Sequence, residues 1–98
     1  MSNLIITCGS VTSAIRIKKK LNQISNFSAA VIHTPSEINS SGCSYSVKTS
    51  SNNYNNVISL KNANKISYSK LYIQENVAKE IVYRDISWQC RNNIKKTL

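Results

Sequence analysis

Leu4-Ile5-Ile6-Thr7-Cys8-Gly9-Ser10 is an apolar, β-branched run that stops at a Gly-Ser turn, as a buried strand does. The next segment has a different period. Ser10 or Thr12 can cap a helix, and Ala14, Ile17, Leu21 and Ile24 then recur at intervals of three and four. One helical face is therefore apolar, while Lys18, Lys19, Lys20 and Gln23 point elsewhere. The chain opens as strand, turn, helix.

Working outward, Ala29-Ala30-Val31-Ile32-His33 supplies a second strand, halted by Thr34-Pro35 because proline lacks the ladder donor. Cys43-Ser44-Tyr45-Ser46-Val47-Lys48 alternates with period two and predicts a half-buried third strand. Ser50-Ser51-Asn52-Asn53-Tyr54-Asn55-Asn56 reads as a polar linker or turn, after which Asn55 or Asn56 caps a second helix through Val57, Ile58, Leu60 and Ala63. Leu71-Tyr72-Ile73-Gln74 makes a fourth strand. This order predicts an α+β fold of the ferredoxin-like βαββαβ kind, a four-stranded antiparallel sheet in spatial order 4-1-3-2 with two helices on one face. Residues 1–74 form that domain. Residues 75–98 form a C-terminal extension read as an amphipathic helix through Val77, Ile81, Trp88 and Ile94, with Glu80 and Arg84 at helical ion-pair spacing. Glu80-Ile81-Val82-Tyr83 also fits a strand.

The chain has 98 residues, enough for one small core. Thirteen Lys and Arg against four Asp and Glu give a formal charge of +9, which favours anionic partners. Those charges are scattered, as on a solvated face. No apolar run approaches the roughly 20 residues of a membrane span, so a cytoplasmic protein is expected. Cys8, Cys43 and Cys90 form neither Cys-x-x-Cys nor a Cys/His cluster. No disulfide framework, metal site or cofactor is expected.

Strand order carries the chemistry. The first two strands run the same way, so the turn after Cys8, the first helix N-terminus and the Pro35 loop share one end of the sheet. The third strand starts there, which would bring Cys43 near Cys8 and near the helix start around Val11 and Thr12. A thiolate is the reactive form of cysteine, and a helix N-terminus stabilises it. Cys43 is thus the candidate reactive thiol and Cys8 a second one, with His33 as a base across the loop. The opposing reading is structural. Cys43 shares strand parity with Tyr45 and Val47, and Cys8 with Leu4 and Ile6, and a buried cysteine is inert.

Thr7-Cys8-Gly9-Ser10, Ala14, Leu21, Thr34-Pro35 and Ser40-Ser41-Gly42-Cys43-Ser44-Tyr45-Ser46-Val47 together resemble the selenium/sulfur carrier protein-like family of small bacterial and archaeal proteins. The resemblance covers about residues 4–73. Lys18, Ser36 and Ser44 depart from it, standing where an acid, a basic residue and a glycine are common. The resemblance implies a carrier rather than a turnover enzyme. Cys43 would accept sulfur or selenium as a persulfide or selenopersulfide from a cysteine desulfurase or a selenium-handling enzyme. Gly9, Ser10, Thr12, Thr34, Pro35, Ser40, Ser41 and Gly42 would shape its loop or stabilise its thiolate. Two other readings stand beside it. One is a nucleic-acid-binding module that stacks bases on sheet aromatics such as Tyr45 and Tyr72. The other is a small adaptor that forms a homodimer through its sheet.

Overall fold

The computed structural model describes residues 2–24, 26–39 and 44–86. Among these residues five strands and two α-helices occur in the order β1 (Asn3–Cys8), α1 (Val11–Ile24), β2 (Ala29–His33), β3 (Tyr45–Ser50), α2 (Tyr54–Asn62), β4 (Lys70–Val77) and β5 (Glu80–Asp85). The sheet is antiparallel throughout and ordered β2-β3-β1-β4-β5. The α+β class and the two helices are as expected, but the sheet has five strands rather than four.

β1 runs through the middle and is buried from Leu4 to Cys8. On one face Leu4, Ile6 and Cys8 meet Ala14, Ile17 and Leu21 of α1 and Val57 and Leu60 of α2, with Val47 and Leu71 from the flanking strands. Both helices therefore cover this face. Full burial of Ile17 and Leu21 contributes about 1.5–3 kcal/mol each. Ser10 caps α1: its Oγ accepts the Ser13 N–H at 3.2 Å and its carbonyl the Ala14 N–H. On the opposite face Ile5, Thr7, Ser46 and Tyr72 are buried too.

The stretch Ser50–Asn56 is not a linker. Ser50 caps a single 3-10 turn at Ser51–Asn53, its Oγ accepting the Asn52 N–H at 3.2 Å, and α2 begins directly at Tyr54. Asn55 and Asn56 thus lie inside the helix. Asn53, fully buried, explains the early start. Its Nδ2 donates to Thr49 Oγ1 at 2.8 Å and to the Phe27 carbonyl at 3.4 Å, and its Oδ1 accepts from Asn56 Nδ2. These bonds pin the turn to β3 and to the segment before β2. At its other end α2 stops at Asn64, φ 60°, with the Lys65 N–H on the Leu60 carbonyl and the Asn64 N–H on the Lys61 carbonyl. That pairing satisfies two orphan helix carbonyls.

The helix expected from residue 75 is corrected over the described part of the extension. β4 continues to Val77, and Ala78 and Lys79, both at positive φ (53° and 71°), form a two-residue turn that returns the chain as β5. Ile81, Val82 and Tyr83 favour the strand. Arg84 consequently pairs not with Glu80 but across the hairpin with Glu75, at 3.6 Å. Trp88, Cys90 and Ile94 lie outside the described residues.

Candidate functional site

Register gives the site its frame. Cys8 is opposite Tyr45, and Tyr45 is opposite His33, so these three residues form one row across β1, β3 and β2. The His33 and Tyr45 rings stand 5.3 Å apart, tilted by 33°. One residue beyond this row lie Gly9, Ser44 and Thr34. The first turn of α1 comes directly after Gly9 and Ser10, so the helix start belongs to the same end of the sheet.

Thr34 and Ser44 flank the segment 35–43 and are bonded to each other. The Thr34 N–H donates to the Ser44 carbonyl at 2.9 Å. The Thr34 and Ser46 hydroxyls share a buried 2.6 Å hydrogen bond. Pro35 starts a turn inside the loop, its carbonyl accepting the Ile38 N–H at 3.1 Å. Beside Ser46 on β1, Thr7 uses its hydroxyl to hold the start of β4. It accepts the Lys70 N–H at 3.0 Å and donates to the Lys70 carbonyl at 3.3 Å. A belt of buried hydroxyls thus fixes the loop-bearing end of four adjacent strands.

Of the residues singled out from the sequence, Gly9, Ser10 and Thr12 are exposed, Pro35 is half-buried and Thr34 is buried. Nothing lies within 4 Å of where a Cβ on Gly9 would stand. Cys8 is fully buried within the core, its thiol 3.5 Å from the Ile6 carbonyl. Burial keeps its thiol from solvent. Ser40, Ser41, Gly42 and Cys43 lie outside the described residues. His33 is exposed.

Ser46 and Thr7 carry structural weight that sequence reading missed. The alternation of β3 places Ser46 on the polar side, where solvent was the expected neighbour, yet it is fully buried. Only the pairing of its strand between β1 and β2 reveals this.

Among the described residues, Arg16, Lys19 and Lys20 line one shallow groove on α1 with Thr12, Ile15 and Gln23. Arg16, Lys18 and Lys19 are exposed on α1, and none has an ion-pair partner among the described residues. Among the described residues the sheet tyrosines do not form an open base-stacking platform. Tyr45 packs against the helix-side core, Tyr72 is buried, and the Tyr83 hydroxyl accepts a hydrogen bond from Gln74. Among the described residues no group of three His, Cys, Asp or Glu side chains could hold a metal, and no helix is long and apolar enough to cross a membrane.

A family model described as "Putative Se/S carrier protein-like" matches residues 3–73, from the start of β1 into β4. The chain belongs to this family. Comparison with curated proteins and with solved structures returned no significant match.

Proposed function

We propose that the protein carries sulfur or selenium, with Cys43 as the acceptor thiol. The family membership over residues 3–73, a span that includes Cys43, carries this reading. It is supported by the frame at that end of the sheet: chain connectivity holds Cys43 one peptide from Ser44, which is bonded to Thr34 beside the Cys8–Tyr45–His33 row. The β1-α1-β2-β3-α2-β4 portion is taken as ferredoxin-like, with β5 an addition at its edge.

In the proposed step the Cys43 thiolate attacks the terminal sulfur of a persulfide on a cysteine desulfurase. The donor S–S bond breaks, the donor cysteine leaves as a thiolate, and a new S–S bond forms on Cys43. The transferred sulfur keeps its oxidation state, so no outside oxidant or reductant is needed. A selenium-handling enzyme would deliver selenium by the same displacement. Gly9, Ser10, Thr12, Pro35, Ser40, Ser41 and Gly42 shape the approach to the thiol, Thr34 fixes the loop base, and Cys8 serves the core. No cofactor takes part. The step belongs to a cytoplasm that keeps thiols reduced. Incubation with a desulfurase and radiolabelled cysteine tests the reading. Label bound to the chain and released by dithiothreitol supports it, and a chain that takes up no reducible label contradicts it.

A further inference from the structure

The two edges of the sheet are treated differently. On β2, the side chain of Asn22 occupies the main chain of Ala29: the Ala29 N–H donates to Asn22 Oδ1 at 3.0 Å, and Asn22 Nδ2 donates to the Ala29 carbonyl at 3.5 Å. That contact occupies the outward main-chain groups at the start of this edge, where it hinders the pairing of another strand. β5 has no such guard among the described residues. Its Ile81 and Val82 are 55% and 39% exposed.

The hydrogen bond from the Ile86 N–H to the Leu71 carbonyl, at 2.9 Å, fixes the phase of β5 against β4. In an antiparallel ladder hydrogen-bonded pairs alternate, so Glu80, Val82 and Arg84 direct their main-chain groups toward β4. Ile81 and Tyr83 direct theirs outward.

We propose that this edge pairs with the same edge of a second copy of the chain, antiparallel and centred on Val82. A two-fold edge pairing must set outward residues against outward residues, which excludes every register centred between two residues. Centring on Val82 sets Ile81 against Tyr83 of the second copy through main-chain hydrogen bonds. It also sets Glu80 against Arg84 of the second copy, twice by symmetry, on the face where Val82 meets Val82. Centring one residue later sets Val82 against Arg84 and Ile81 against Asp85, and matches no charges. Only the Val82 register combines backbone phase with opposite charges. A six-residue edge buries little area, so the dimer is reversible and concentration-dependent. It does not depend on the carrier reading.

Sedimentation of the full chain over a concentration series tests this. The expected result is a dimer fraction that rises with concentration. Glu80→Arg and Arg84→Glu, each alone, put like charges together twice and weaken association about tenfold, whereas their equimolar mixture restores it. Independently of charge, Val82→Cys under mild oxidation should give a disulfide between the two introduced thiols, mapped by peptide mass, because a non-hydrogen-bonded pair brings Cα atoms to about 4.5 Å. A monomer at every concentration overturns the proposal. So does a dimer in which the introduced thiols fail to join.

Discussion

Thr34 and Ser46 bury their two hydroxyls against each other at 2.6 Å, beside the main-chain bond from Thr34 to Ser44, the residue that follows Cys43 in the chain. Two small polar residues thereby tie β2 to β3 at the end of the sheet where the proposed chemistry occurs.

Removing one partner strands the other in a buried site. Thr34→Val should cost about 1–3 kcal/mol in urea unfolding, and Ser46→Ala a similar amount, because each leaves an unsatisfied hydroxyl or an empty contact. The double variant should cost clearly less than the sum, since nothing is then left unpaired. Strict additivity would show that the hydroxyls do not act as a pair.

The β4–β5 turn carries strain that its side chains do not need. Ala78 and Lys79 sit at φ 53° and 71°, a conformation that costs a residue with a Cβ about 1–2 kcal/mol. Replacing the pair by Asn-Gly should raise the unfolding free energy by about 1–2 kcal/mol. An unchanged or lower value contradicts the turn geometry.

Cys8 should resist alkylation in the folded protein. Its side chain is fully buried. Iodoacetamide followed by peptide mass mapping should leave Cys8 unmodified until denaturant is added. Rapid labelling of Cys8 in the native state would contradict its place in the core.

Gly9 separates fold from approach. Open space surrounds the position of its missing Cβ, and its backbone does not require positive φ. Gly9→Ala should therefore unfold at the same denaturant concentration or higher, a gain of up to about 1 kcal/mol. Any slowing of sulfur loading in this variant then reports a hindered partner rather than a damaged fold.

The elements legible in the sequence were those marked by a short apolar run or by a helical period. The three-and-four spacing of Ala14, Ile17 and Leu21 gave α1, and the shared parity of Leu4, Ile6 and Cys8 marked the core side of β1, where all three are buried. What escaped depended on distant partners. Asn53 begins the turn before α2 through bonds to Thr49 and Phe27, which no local pattern reveals. Glu80 and Arg84 have the spacing of a helical ion pair, yet Arg84 found Glu75 once Ala78 and Lys79 turned the chain back. Alternation along β3 placed Ser46 on a polar face but could not show that this face is closed over its centre. The places of Gly9 and Ser10 between β1 and α1, and of Thr34 and Pro35 just after β2, were legible because glycine, proline and capping residues punctuate strands and helices.

The central claim is that Cys43 accepts the transferred atom, and intact mass spectrometry under non-reducing conditions tests it most directly. After incubation with a cysteine desulfurase and cysteine, the wild-type chain should gain the mass of one sulfur atom and lose it on reduction, while Cys43→Ser should gain nothing. No gain on the wild type, or an equal gain on Cys43→Ser, would contradict the account.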